Sequence, residues 1–307
     1  MGAANILILG AAIIDVVIRI DRLPKAGEDI AGQQQGMIVG GCAFNVSKIM
    51  GALGTAHDLC VPVGRGMYAD IIRQELQKAG RAVMIEDRRC DNGYCLSLVE
   101  ADGERTFITM DGIETMWRDA WLETLDAQRY DYIYASGYGF QEDNPSSEVL
   151  MRFVRRKNAG CRLVLDPGPR LLGRRFADEL LGMGTILEMN ASEAMALAGE
   201  AEVGAAARRL HGVTRQPVVV TLGKEGTLCH SAAGELLVPT RPVKPVDTIG
   251  AGDAFYALAA LAALHKMPLD LATLLANAAG ALKTNVVGNK EAVKKVDLLK
   301  FLSTILN

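Results

Sequence analysis

Asp247-Thr248-Ile249-Gly250-Ala251-Gly252-Asp253 runs directly into Ala254-Phe255-Tyr256-Ala257-Leu258-Ala259-Ala260-Leu261. The first seven residues read as a glycine-rich turn. The next eight are apolar and mostly good helix formers, so they read as the start of a buried helix. Pro245 keeps that helix from beginning earlier. Such a turn aims unpaired backbone N–H groups and the positive end of the helix dipole at one point, where an anion is stabilised. Asp253 falls in or beside the first helical turn. From there a carboxylate can take a hydroxyl proton while the N–H groups neutralise charge building on a phosphoryl group. The same residues also suit a packing role, in which the glycines admit a neighbouring helix and Asp253 is a cap. The heptad alone leaves both readings open.

Composition removes several classes of function. A chain of 307 residues can bury a large core. Half the residues are apolar, 22% are charged and the formal net charge is −3. Both signs are spread along the chain, which argues against a nucleic-acid groove or a polybasic membrane patch. The apolar opening at 5–10 meets Asp15 too soon for a signal peptide or a membrane span. The stretch 251–264 contains Asp253 and ends before Lys266 and Pro268, as a core helix would. The six cysteines (42, 60, 90, 95, 161, 229) contain no Cys-x-x-Cys pair, and the four histidines (57, 211, 230, 265) lack ligand spacing. The expectation is a cytoplasmic protein with reduced thiols and no histidine metal site.

Outward from the heptad, strand and helix patterns alternate. Strands are expected at 130–136, 162–166, 186–190 and 217–222, with helices at 145–158 and after a cap near Ser192. That alternation argues for an α/β fold with a mostly parallel central sheet and helices on both faces. Residues 5–14 form one apolar run ending at Asp15, suited to a strand covered on both sides. Asp15 then either reaches a ligand crevice or simply forms a turn. Gly40-Gly41-Cys42-Ala43-Phe44-Asn45 opens a helix at 43–53. Its glycines allow close approach of a ligand, and Asn45 offers a donor and an acceptor to a hydroxyl. A strand at 55–64 and a helix at 68–79 follow. Residues 96–100 and 105–109 flank Ala101-Asp102-Gly103-Glu104, a hairpin signal. Helices at 270–285 and 292–305 close the chain. With no repeat or linker, the expectation is one domain over 1–307, with a small β-sheet lid from about 15–38 and 91–112.

The strands of a parallel sheet end on one edge, where ligands bind. Asp15, Asp166, Asn190, Thr221 and the Gly250–Asp253 turn are all expected there. At this point the chain resembles the ribokinase-like (PfkB) carbohydrate kinases from Leu7 to about Ala292. The resemblance rests on Asp247-Thr248-x-Gly250-Ala251-Gly252-Asp253 and on Gly40-Gly41-x-Ala43-x-Asn45. It implies Asp253 as catalytic base and Gly250, Ala251 and Gly252 as anion hole. It further implies Asp15, Gly41 and Asn45 as binders of sugar hydroxyls. Asn190-Ala191-Ser192-Glu193 resembles the family's Asn-x-x-Glu motif, which implies ATP contacts from Asn190 and a magnesium ion held by Glu193 through water. Thr221-Leu222-Gly223-Lys224-Glu225-Gly226 resembles the nucleotide loop, implying ATP contacts at Thr221, Gly223 and Gly226. Asn277 matches a position that contacts adenine.

Some positions depart from the pattern. Arg65-Gly66 stands where the family commonly has an acidic residue before the glycine. A monovalent cation, such as potassium, remains open. Asp247 and the Ile249 carbonyl match two of its ligands and Gly288 a third region, but Ala292 has no side-chain oxygen. Lys224 could reach a phosphate or lie solvated in its loop, and Trp117 and Trp121 are expected on one helix face. The resemblance implies ATP-dependent phosphorylation of a primary hydroxyl on a small sugar or, alternatively, a nucleoside. It also implies a homodimer through the lid, without nucleic acid or membrane as partner. A non-catalytic sugar- or nucleotide-binding regulator on the same fold is the competing class, although such proteins are expected to lose Asp253 or the turn.

Overall fold

Alternate side chains of the apolar runs enter two separate cores, and this period of two builds the central sheet. In β1 (Ile6–Leu9), Leu7 and Leu9 enter one core while Ile6 and Ile8 enter the other. The same alternation holds for Leu163, Val164 and Leu165, and for Val218, Val219 and Val220. The structure, a computed structural model, describes residues 5–101, 104–171, 175–240, 243, 251–255, 257, 267–284, 296–298 and 300.

After β1 come β2 (Ile13–Arg19), β3 (Gln33–Gly40), α1 (Cys42–Ala52), β4 (Asp58–Cys60), β5 (Pro62–Val63) and α2 (Met67–Lys78). Next are β6 (Ile85–Glu86), β7 (Tyr94–Val99), β8 (Arg105–Met110), α3 (Asp119–Leu122) and β9 (Tyr132–Ser136). Then α4 (Ser146–Arg155), β10 (Arg162–Asp166), α5 (Arg175–Gly182), β11 (Ile186–Asn190), α6 (Ala191–Ala198) and α7 (Val203–Thr214) alternate. The strands β12 (Val218–Thr221), β13 (Thr227–Ser231) and β14 (Gly234–Val238) precede a helix described over 251–255 and at 257, and α8 (Leu269–Lys283) follows it.

Eight strands form the main sheet in the order β14-β13-β12-β11-β10-β9-β1-β4. From β4 to β12 all neighbours are parallel, and β13 and β14 add an antiparallel edge. One face packs on α4, α5, α6 and α7, the other on α1, α2, α8 and the Ala254–Phe255 turn of the helix between them. A separate four-stranded sheet, β3-β2-β7-β8, contains the expected hairpin β7–β8.

Several expectations need correction. The run 5–14 is two strands: β1 stays in the main sheet and β2 belongs to the second sheet, so Asp15 lies inside β2 and ends no core strand. The break at 10–12 has a tertiary cause, since a Cβ on Gly10 would meet Ala43 at 2.9 Å and the Ala12 carbonyl is claimed by Asn92. The segment 19–37 contributes regular strand from Gln33 onward. The expected strand at 55–64 divides into β4 and β5, and β5 pairs with β6. The antiparallel β13–β14 edge had no counterpart in the sequence reading. The cap of α6 is Asn190 rather than Ser192. Trp117 precedes α3, and the two tryptophans pack edge to face at 6.0 Å without sharing a helix. Of the helix expected at 292–305, residues 296–298 and 300 are described, and they are helical.

The short segment Asp91-Asn92-Gly93 joins the two sheets. The buried Asn92 amide donates to Ala12 O (3.1 Å) and Pro62 O (2.9 Å), and its Oδ1 accepts from Gly64 N (2.8 Å). The Asp91 carboxylate accepts from Tyr68 N (3.1 Å) and Ala69 N (2.7 Å), so it caps α2. A carboxylate therefore does reach the start of α2, although Arg65 occupies the sequence position where an acid was expected. Buried Glu114 completes the junction by accepting from Gly93 N and Gly112 N, both at 2.9 Å. Asn92→Ala would leave three buried backbone groups without their partner, and an unsatisfied group costs about 1–3 kcal/mol. Urea unfolding should show a loss of about 3 kcal/mol. A variant within about 0.5 kcal/mol of the native chain would contradict this role for Asn92.

Candidate active site

The strands β10, β11 and β12 end at Asp166, Asn190 and Thr221, and these three side chains meet the helix described from Ala251. Together with Glu188, Glu193, Gly252 and Asp253 they line a cavity of about 180 Å³. A second cavity of about 480 Å³ adjoins it between α6, the start of α7 and the end of β12, and shares Asn190 and Thr221. The smaller recess is acidic, and the larger is lined by mixed side chains that include Ser192, Met195, Glu202, Leu222 and Glu225.

Asn190 and Glu193 fix the wall between them. The Asn190 side chain accepts from Glu193 N (2.9 Å), and the Glu193 carboxylate accepts from Asn190 N (3.0 Å). This capping box leaves Glu193 at the mouth of the acidic cavity. Among the described residues no three acidic, histidine or cysteine side chains stand close enough to hold a metal directly. A magnesium ion held here would keep several waters, and Glu193 is the residue that could reach it through one of them.

Two of the residues expected to bind hydroxyls, Asn45 and Asp15, approach Asp253 from the other side. Gly41 precedes α1 with φ of 93°, and α1 carries Asn45 on its first turn. Asn45 is buried, and its Nδ2 donates to Asp253 Oδ2 at 2.7 Å. Its Oδ1 has no hydrogen-bond partner among the described residues. Asp15 leans on the backbone at Gly40, where any Cβ would collide with its carboxylate. Glycine is required there by that close approach.

Burial crowds the acids. The Asp15 carboxyl is pushed up to about 7, first by desolvation and then by the negative charge of Asp253. Asp253 is pushed up to about 6 by desolvation, against the opposing pull of the Asn45 hydrogen bond, the Lys283 charge and a Cys42 hydrogen bond. The sequence placed Asp253 where a helix N-terminus favours its anion. Burial outweighs that effect, yet Asp253 stays largely ionised above pH 6. Glu188 is held well above the usual carboxylate range by complete burial and by Asp166 and Asp253. The Cys42 thiol is raised by burial and by the same acids.

The nucleotide positions divide. Asn190 and Thr221 line both cavities, while Gly223 opens a short turn beside them and Lys224 is exposed. Gly226 and Asn277 lie elsewhere. Gly226, at φ of 104°, is pressed against the backbone of Val238, where a Cβ would clash. Asn277 is buried, accepts from Thr227 Oγ1 (2.6 Å) and donates to Val238 O (3.0 Å). Both residues tie the β13–β14 edge to itself and to α8, and neither lines the two cavities above. Ala251 and Gly252 are helical beside Asp253, whereas Gly250, Asp247, Ile249, Gly288 and Ala292 lie outside the described residues. Glu188, Cys42 and Lys283 were missed. Glu188 had a signal, a charge inside an otherwise apolar strand, but Lys283 looked like any basic residue ending a helix.

The comparisons with known proteins extend over nearly the whole chain. A model of the pfkB family carbohydrate kinases matches residues 3–295. The chain is 33% identical over 302 residues to an uncharacterised sugar kinase of Escherichia coli K12, YegV, covering 96% of this chain and 93% of that protein. It is 27% identical over 281 residues to the ribokinase of Bacillus subtilis, covering 91% and 92%. Among solved structures, the Thermotoga maritima ribokinase has a TM-score of 0.83 at 23% identity, covering 98% and 99%. The Arabidopsis thaliana ribokinase, solved with ribose and ATP, has a TM-score of 0.79 at 21% identity over the same shares. The two structures speak for the fold, and the family match adds the chemistry. An acid at the strand-end edge of this fold thus has its context: the chain belongs to the pfkB family of carbohydrate kinases and is an ATP-dependent kinase of that family.

Proposed function

We propose that the chain phosphorylates a primary hydroxyl of a small sugar, with Asp253 as general base. The observation that carries this reading is the Asn45–Asp253 pair. One end of the Asn45 amide holds the carboxylate at 2.7 Å, and the other end presents a buried Oδ1 with no partner among the described residues. A sugar hydroxyl would donate to that oxygen, and Asp15 and the backbone near Gly41 would hold its neighbours. A buried acceptor is thereby satisfied at the moment the reacting hydroxyl is brought to Asp253.

The nucleotide is assigned to the larger cavity, with Asn190, Thr221 and Gly223 near its phosphates. The substrate oxygen attacks the γ-phosphorus in line. The new O–P bond forms as the bond to the β,γ-bridging oxygen breaks, ADP leaves, and the hydroxyl proton passes to Asp253. The N–H groups of Gly250, Ala251 and Gly252 are assigned to the charge on the transferring group. Magnesium, when bound, screens phosphate charge. A monovalent cation near Asp247 stays part of the proposal. So does a homodimer that would cover the exposed Phe107, Ile108 and Met110 of β8. All six cysteines are unpaired, which suits a reducing, cytoplasmic setting.

ATP consumption over pentoses, hexoses, keto-deoxy sugar acids and nucleosides tests the substrate class. Turnover with a sugar is expected, and turnover with nucleosides alone would contradict the proposal. Asp253→Asn should lower kcat at least ~10²-fold with the fold intact, the scale of a lost general base. Near-native turnover by that variant would remove Asp253 from the role.

The pH dependence has a definite sign. The base must be deprotonated, so kcat/KM should fall as pH drops through about 7 to 6, the range set by Asp15 and Asp253. A profile still flat at pH 5 would contradict the crowded-acid picture. Stability runs the other way. Both folded-state values lie above the unfolded ones, so the folded chain binds more protons between about pH 4 and 7 and loses stability as pH rises across that window. Asp15→Asn should therefore raise Tm at pH 8, and the gain should shrink at pH 5. An unchanged or lowered Tm at pH 8 would refute this.

A further inference from the structure

We propose that Lys283 is a positioning residue for phosphoryl transfer: its buried ammonium is the counter-charge of Asp253, set behind the Ala251–Asp253 turn by the close approach of α8. The inference rests on Asp253 acting as the general base.

The sequence of α8, Leu-Asp-Leu-Ala-Thr-Leu-Leu-Ala-Asn-Ala-Ala-Gly-Ala-Leu-Lys, holds two charges. Asp270 in the first turn is exposed, as expected for an acid at a helix start. Lys283 in the last turn does the opposite of what a terminal lysine usually does. Such side chains normally lay their stem on the surface and keep the ammonium in water, but Lys283 is only 3% exposed. Lysine is rarely buried to that degree unless its charge is balanced.

The geometry shows where the charge goes. Gly280 brings α8 against the helix described from Ala251, since a Cβ there would stand 3.4 Å from the Ala251 carbonyl oxygen. Residues three apart share a helix face. Lys283 therefore follows Gly280 on the side of α8 that meets the turn. Consistent with this, its positive charge is one of the influences that pull the Asp253 carboxyl down against burial.

The other charged and titratable groups acting around Asp253 explain why a cation is needed. Asp15 faces it from β2, Asp166 from β10 and Glu188 from β11. The Tyr134 phenol contributes from β9 and the Cys42 thiol from α1, beside the neutral Asn45 amide. Every one of these is an acid or a neutral donor. Among the described residues, Lys283 is the cation that acts on Asp253. Without it, the carboxyl that must receive a proton would already hold one near neutral pH.

The test compares Lys283→Met, Lys283→Gln and Lys283→Arg, with kcat/KM measured from pH 5 to 9 and Tm recorded for each. An opposite charge nearby moves a carboxyl by about one pH unit or more. In the Met and Gln variants the acid limb should move up by about that amount. Activity should then be down roughly tenfold on the limb and approach the native value at pH 9, while the Arg variant keeps the native limb. Activity lowered equally at every pH, or a lowered Tm with the limb in place, would overturn the proposal and leave Lys283 a structural residue. If neither neutral variant folds, the Arg variant decides, because a limb that moves with the charge retained overturns it as well. The two levels separate cleanly. If Asp253→Asn keeps near-native turnover, the base assignment fails. If Asp253→Asn is inactive and the Lys283 limb stays put, only this inference fails.

Discussion

A hydrogen bond of 2.7 Å between Asn45 and Asp253 joins residues 208 positions apart in the chain. It couples the first helix of the fold to the helical segment that carries Asp253. The geometry of the acidic cleft depends on it, because Asn45 is held by a buried helix and Asp253 by the turn at Ala251. Neither partner is free to move alone. The pair also sets the polarity of the site. Asn45 spends its donor on the carboxylate, which leaves its buried Oδ1 without a partner among the described residues, the acceptor that the proposed mechanism gives to a sugar hydroxyl.

Around that pair the chain concentrates acids that water would normally separate. Asp15, Asp166, Glu188 and Asp253 share one small region, and burial raises Asp15, Glu188 and Asp253. Such crowding costs stability, and natural sites accept that cost where a group must be poised near the working pH. The environment then divides the roles. Glu188, fully enclosed, is held well above the usual carboxylate range, while Asp253, with the Asn45 donor and the Lys283 charge opposing its burial, is pushed up only to about 6. The second sheet contributes Asp15 from an element outside the main sheet, so the position of that sheet and the chemistry of the cleft are linked through Asn92 and the Asp91–Gly93 junction.

Much of this was legible in the sequence, and the failures have physical causes. The strands β9 to β12 are short apolar runs with clear ends, so the sheet edge and its residues Asp166, Asn190 and Thr221 could be placed. Asp15 lies near Asp253 but on another element than the one expected. Within the apolar run 5–14 the one local sign of a break is Gly10, and the division is held by its approach to Ala43 and by a hydrogen bond from Asn92, eighty residues away. Asn277 and Gly226 matched nucleotide positions, and their contacts with the β13–β14 edge could not be read locally. Lys283 was invisible because its sequence context is that of an ordinary helix terminus. Only packing through Gly280 turns it inward.

The central claim is that Asp253 receives the proton of a hydroxyl held by Asn45 and Asp15. A crystal structure with a sugar that supports ATP consumption and a non-hydrolysable ATP analogue tests it most directly. The account predicts the reacting hydroxyl oxygen within hydrogen-bond reach of an Asp253 carboxylate oxygen, in line with the γ-phosphorus, with a sugar hydroxyl donating to Asn45 Oδ1. A sugar whose phosphorylated hydroxyl sits away from Asp253, with Asn45 Oδ1 turned elsewhere, would contradict it.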